Sequence, residues 1–233
     1  MATTTTPTAR DRARAGLTDE IKAVARRHLS EQGTAALSLR AVAREVGMVS
    51  SAVYRYFPSR DELLTALIID AYDAVGTAAE AALGAHRRRG AAARWLAVTR
   101  AIRAWALAHP HEYALIYGSP VPGYAAPQDT IDPASRVALA LLQIVVDGVA
   151  AGEIDDDERS MPRVVRTDFA ELRAVAAPGV PDAVLSRALL AWSALFGSIS
   201  LEMFGHLHNV IHDYDAYFTI QMRRAAEFLV KGT

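Results

Sequence analysis

The stretch that most constrains this 233-residue chain is 38–57, where two short apolar-striped segments are separated by a glycine. Ser38 is a residue type that caps helix N-termini. After it, Leu39, Val42, Ala43 and Val46 recur on one face of a 3.6-residue period, with Arg40, Arg44 and Glu45 off that face. Gly47 ends the segment and permits a sharp turn. A second, shorter helix is predicted over Ser50–Tyr56, where Phe57-Pro58 stops it. Upstream, Ile21, Val24, Ala25 and Leu29 share one face of a helix predicted over 18–32 and closed by Gly33. Against it Leu39, Val42, Val46 and Val53 can form a small core, with Ala43 small enough for close approach.

The remainder keeps the helical period. Ser59 opens a long helix to about residue 85, with Asp61 and Glu62 in its first turn and Leu64, Leu67, Ile68, Ala71 and Val75 inward. Arg87–Arg89 read as its end. Trp95, Val98, Ile102 and Trp105 mark a fifth helix stopping at His109-Pro110, and 112–117 adds a turn or two. The proline-rich run 118–127 is a loop. Further helices are predicted over about 133–151, 168–176, 182–208 and 213–230, with an acidic loop from Glu153 to Glu158. No segment alternates with a two-residue period over strand length, so the fold class is all-α. The expected division is a flexible basic arm (1–16), a small helical head (17–62) and a larger helical body (63–233).

Charge gives the first functional pointer. Residues 1–60 carry ten Lys/Arg against five acids, which leaves the remainder at −6 in a chain of net charge −1. A basic head on an acidic body suits a polyanion partner for the head. The absence of cysteine excludes disulfides, thiolate metal sites and cysteine nucleophiles. The N-terminus lacks a signal-like apolar run, and the uncharged helical stretch Ala188–Leu201 is shorter than a bilayer span, so a cytoplasmic protein without a membrane partner is expected. The glycine-rich phosphate loops, nucleophile elbow and zinc-helix motif of common enzymes are missing, so no catalytic residue and no cofactor is expected. The competing readings are an all-α enzyme and a ligand-binding scaffold without sequence-specific DNA binding.

Two short helices about a glycine turn, the second small and tyrosine-bearing, form the helix-turn-helix arrangement that enters a major groove. With the apolar stripe turned inward, Ser50, Ser51, Ala52, Tyr54 and Arg55 are left for the groove, and Tyr54, Tyr56 and Arg60 can donate to phosphates. Arg10, Arg12 and Arg14 either reach the DNA from the arm or are simply solvated.

The run Ser38-Leu39-Arg40-Ala41-Val42-Ala43-Arg44-Glu45-Val46-Gly47, followed by Ala52-Val53-Tyr54-Arg55-Tyr56-Phe57-Pro58-Ser59-Arg60-Asp61-Glu62-Leu63-Leu64, resembles the TetR family of bacterial transcriptional regulators over about residues 17–65. The resemblance implies that Arg40 and the start of the third helix contact operator DNA, that Tyr54 and Tyr56 bind phosphate, and that Arg60 stands at a phosphate-binding position. Val49 replaces a frequent Ser or Thr and Ser51 a frequent Gly, which moves the expected N-cap to Ser50. Beyond residue 90, Ala104-Trp105-Ala106, His109-Pro110, Glu112-Tyr113, the 118–124 loop, Trp192 and Gly197 resemble the TetR subgroup with a WHG domain, with Phe196 where that subgroup often has His.

The same resemblance implies a palindromic operator, a small-molecule effector and a homodimer paired through the last two helices. Tyr72, Trp95, Trp105, Tyr113, Tyr117, Phe169, Trp192 and Phe196 are the candidates for an effector pocket. For the dimer, Tyr214, Phe218, Gln221, Ala225 and Phe228 follow a 4, 3, 4, 3 seam, and the helix from 182 is apolar on too many sides for one face, with Leu185, Leu189 and Ile199 as candidates. His206, His208 and His212 beside Asp213 read more simply as helix-end groups than as a metal set, so no metal is expected.

Overall fold

The computed structural model describes residues 8–156 and 161–231. Residues 1–7 of the expected arm, and Asp157 and Glu158 of the expected acidic loop, lie outside them. All regular structure among the described residues is helical: α1 (Ala9–Gln32), α2 (Leu39–Glu45), α3 (Ser50–Val53), α4 (Arg60–His86), α5 (Ala91–Ala108), α6 (Pro110–Tyr117), α7 (Ile131–Ala150), α8 (Arg163–Ala176), α9 (Asp182–Met203) and α10 (Tyr214–Lys231). Two compact units emerge. One comprises residues up to Ala71 together with His111–Thr130; the other comprises Tyr72–Pro110 and residues from Ile131 onward. The unbroken helix α4 contributes a segment to each.

In the first unit, α1 begins nine residues before the expected position 18. Residues 9–16, expected to belong to a flexible arm, form its first two turns. Thr8 and Asp11 close a reciprocal cap: the Asp11 amide donates to Thr8 Oγ1 at 3.2 Å, and the Thr8 amide donates to the Asp11 carboxylate at 3.0 Å. The Thr8 hydroxyl and amide hold the Asp11 carboxyl below its ordinary range. Ile21, Val24, Ala25 and His28 bury the inner face of α1. Glu45 ties α2 to α1 by pairing with Arg27 and with His28 Nε2, the latter at 2.7 Å. Asp70 ties α1 to α4 through Lys22 (2.9 Å) and Arg26 (3.1 Å).

In the second unit, α10 packs mainly on α9 and α5, while α7 packs on α5 and α9. Arg103 of α5 locks this arrangement. Its guanidinium donates two bonds to Glu202 at the end of α9 (2.7 and 2.8 Å) and one to Asp215 at the start of α10 (2.7 Å), and it lies over the Phe218 ring. Glu202, then burial working against it, then Asp215 set the net upward shift of the Arg103 pKa. Arg136 of α7 clamps α4 in the same manner, donating to Glu80 (2.6 and 2.8 Å) and Asp73 (2.7 Å). Gly76 makes room for that clamp, since a Cβ there would lie 2.8 Å from the Arg136 stem.

Helix α9 ends at Met203, not near His208, because Gly205 and Asn209 adopt positive φ and break the helical period. By length and composition, residues 128–150 and 182–203 would suffice for a membrane span, more than the count of strictly uncharged residues suggested. In α9 that length includes Arg187, which is buried and donates to the Asp155 and Phe228 carbonyls, so part of the helix is a core element of its unit.

Candidate nucleic-acid interface and ligand cavity

The recognition element is built from backbone geometry. Leu39, Val42 and Ala43 bury the inner face of α2. Gly47, at φ 74°, reverses the chain so that the Met48 amide donates to the Ala43 carbonyl at 2.8 Å, closing the helix end. Val49 is extended and occupies the N-cap position of α3 with no side-chain capping bond; the expected shift of the cap to Ser50 does not occur, because Ser50 is already helical. Helix α3 is short, and Tyr54–Tyr56, expected as its last turn, leave it as a hydrogen-bonded turn.

Of the eight residues expected at DNA, Arg40, Ser50, Ser51, Tyr54 and Arg55 are exposed. Ala52 is not: at 8% exposure it belongs to the core with Val53, because a four-residue helix has room for one inward face and these two residues fill it. Tyr56 is half-buried with the Arg14 guanidinium over its ring at 5.1 Å, and Arg14 also donates to the Arg55 carbonyl at 3.1 Å. Arg60 is likewise engaged within the unit, donating to the Thr34 carbonyl at 2.7 Å and to Asp61 at 3.2 Å.

Two residues here escaped the sequence reading. Arg14 falls within the expected flexible arm, and nothing in its spacing announces a contact 41 residues away. Val49 is 71% exposed, an apolar side chain at the start of the recognition helix. Its replacement of a hydroxyl residue was visible, and its exposure was not.

The second unit holds a cavity of about 240 Å³ lined by Trp95, Ala138, Leu141, Leu142, Val145, Leu172, Leu185, Ala188, Leu189 and Trp192. Two of the eight expected pocket aromatics, Trp95 and Trp192, are in this lining. Tyr113 and Tyr117 belong to the first unit, where their rings meet at 5.2 Å. Trp105 stacks on His109, Phe169 is buried on α8, Phe196 packs edge-on against Trp192 outside the lining, and Tyr72 is half-buried on α4. The aliphatic lining from α7, α8 and α9 was missed, because inward-facing leucines look alike in sequence whether they meet a neighbour or a void.

Of the residues expected between subunits, Leu185, Ile199 and Phe218 are buried within the single chain and cannot meet a partner without unpacking the core. Leu189 is exposed, and Tyr214, Gln221, Ala225 and Phe228 are half-buried. On α10 the inward face is Phe218, Met222, Ala226 and Leu229, so of the expected seam Phe218 belongs to the core and the other four residues sit beside it. On α9 the exposed stripe is Leu190, Ala194, Gly197 and Leu201. No group of three or more potential ligands gathers into a metal site among the described residues.

A glycine-turned pair of short helices, held on a supporting helix and exposing arginine, serine and tyrosine, is the DNA-binding head of a helix-turn-helix transcriptional regulator. Residues 21–67 match the family model described as bacterial regulatory proteins, tetR family, and residues 95–225 match the tetracyclin repressor-like C-terminal domain. The chain is 41% identical over 217 residues to the HTH-type transcriptional regulator Rv1816 of Mycobacterium tuberculosis, covering 91% of each. Among solved structures, the regulatory protein SCO4313 aligns with TM-score 0.75 at 36% identity over 94% of this chain and 98% of that one. A Rhodococcus sp. RHA1 protein of unknown function aligns with TM-score 0.70 at 26% identity over 92% and 95%. The chain belongs to the TetR family. The family and the Mycobacterium relative are transcriptional regulators and not enzymes.

Proposed function

We propose that this regulator is a cytoplasmic repressor that grips a palindromic operator as a homodimer and lets go when a small molecule occupies the cavity. The observation that carries the reading is the exposed set Arg40, Ser50, Ser51, Tyr54 and Arg55 around the Gly47 turn, hydrogen-bonding groups of the kind that read base edges and phosphates. The domain limits of 17–62 for the head and 63–233 for the body are part of the proposal.

The dimer is supported by the stripe Leu190, Ala194, Gly197 and Leu201 together with Tyr214, Gln221, Ala225 and Phe228. Apart from Gln221 these form a largely apolar surface on the last two long helices, with small residues where helices approach closely. A two-fold dimer presents two recognition helices, and a contiguous pair of half-sites requires them about 34 Å apart.

Release is a linkage between two sites. Helix α7 carries four residues of the cavity wall and also Arg136, whose clamp on Asp73 and Glu80 grips α4. A ligand that displaces α7 therefore acts on α4, the helix whose first turns belong to the head-bearing unit. The effector must prefer the conformation that does not bind DNA, and operator then weakens effector binding by the same factor.

Selection of bound sites from random duplexes tests the reading. An inverted repeat bound by two chains, with affinity falling steeply in salt, is the expected result. A monomer indifferent to every duplex at low salt would overturn it.

A further inference from the structure

The lining of the cavity defines the chemistry of what it takes, an inference that rests on the effector role proposed above. All ten lining residues are apolar or aromatic, and none carries a charge or a hydroxyl. An ionised carboxylate or ammonium held among these residues would lose hydration with no partner to replace it, a cost that favours neutral ligands over charged ones. Size narrows the choice further. A cavity near 150 Å³ accommodates benzene, so about 240 Å³ suits a molecule of roughly ten non-hydrogen atoms.

One polar feature remains. Trp95 is 1% exposed, and its indole N–H has no hydrogen-bond acceptor. Buried donors are nearly always satisfied, and this one, closed off on a residue of the cavity lining, is a position that a ligand can complete by moving its neighbours apart. We infer that the effector is a neutral, compact, largely hydrocarbon molecule bearing one hydrogen-bond acceptor, a ketone, ether or ester oxygen, that receives the Trp95 indole N–H.

Three rigid bicyclic probes of similar size separate the elements of this proposal: tetralin with no acceptor, 1-tetralone with one, and 1-naphthoate with a charge. Calorimetric titration of the purified protein without DNA should show 1-tetralone bound about five- to tenfold more tightly than tetralin. 1-Naphthoate should bind on the order of a hundredfold more weakly than the ketone, or not at all. Trp95→Phe keeps the ring and deletes the donor, so the ketone should fall to the level of the hydrocarbon. Trp105→Phe, which removes another unpartnered indole outside the lining, should leave the preference intact. Ala188→Phe fills the cavity and should remove binding of all three.

Should Trp95→Phe fold poorly, the wild-type indole resonances give the same answer. The chain has three tryptophans, and the Trp95 N–H signal should move downfield with 1-tetralone and not with tetralin. Equal affinity for ketone and hydrocarbon, tight binding of naphthoate, a preference that survives Trp95→Phe, binding that survives Ala188→Phe, or no binding of any probe would each overturn the inference. Because DNA is absent, a protein that selects the ketone yet ignores every duplex retains this site and loses the regulator reading, and the converse result separates them equally well.

Discussion

The two units of this molecule place their functional groups by opposite means. In the head, each exposed residue takes its position from a local device: a capping serine, a positive-φ glycine, a four-residue helix, a proline stop. In the body, the cavity exists because side chains from α5, α7, α8 and α9, far apart in sequence, fail to fill the space between them. A site made by local turns survives most changes elsewhere in its unit. A site made by packing depends on every long-range tie that sets the spacing of the helices.

The largest effect expected from that difference is at Arg103, in the second unit. Arg103→Ala leaves Glu202, whose side chain is 11% exposed, as a buried carboxylate without its partner, and should cost about 3 kcal/mol of stability. Urea unfolding measures the loss, and binding of a cavity ligand should weaken with it while the head keeps its affinity for duplex in whatever fraction remains folded. A loss below about 1 kcal/mol would show that the α5–α9–α10 junction does not depend on this ion pair.

Next in size is Gly47. Its φ of 74° is a conformation that a β-branched residue adopts only under strain, so Gly47→Val should cost roughly 1–2 kcal/mol or more and should misdirect α3. Thermal unfolding and operator titration should fall together here, in contrast to Arg103→Ala. If Gly47→Val kept full operator affinity, the turn would not be what aims the recognition helix.

These two positions also explain what could be read in advance. Gly47 was legible as a turn from one residue and its flanking stripes, and with it the all-helical class, the helix order and most of the exposed head. Arg103 was not, since its partners lie 99 and 112 residues away and charge alone does not pair them. The same limit applies to α1, where the Thr8/Asp11 cap was overlooked beneath a composition that looked like a tail. It applies again to the pocket: aromatic content points to eight residues, while the structure lines the cavity mainly with Leu, Val and Ala. Periodicity said how many apolar faces α9 has, and only packing decided that Leu185 and Ile199 turn inward while Leu190 and Leu201 do not.

A pair of arginines tests the head more finely. Arg40 is exposed on α2, whereas Arg60 is held by the Thr34 carbonyl and Asp61. Arg40→Ala should lower operator affinity by about 1–3 kcal/mol with stability unchanged, and if it reads a base the preference at that position should relax. Arg60→Ala should instead reduce stability by about 1 kcal/mol, since it removes a charge-assisted bond to a main-chain carbonyl. Reversal of these two phenotypes in denaturation and anisotropy measurements would mean that Arg60 releases its internal partners to bind DNA.

The smallest and sharpest test is at Val49. An exposed valine at the start of a recognition helix has one apolar counterpart in a major groove, the C5-methyl of thymine. Replacing thymine by deoxyuridine at one position at a time in a selected operator removes each methyl and nothing else. At one position per half-site the wild-type protein should lose about 1 kcal/mol, and Val49→Ser should be insensitive to the same replacement. The serine hydroxyl should also cap α3, which Val49 cannot, so the variant should be more stable by about 0.5–1 kcal/mol while it discriminates less. Those opposite signs separate a reading role from a packing role, because a residue that merely packed would lose stability and base preference together.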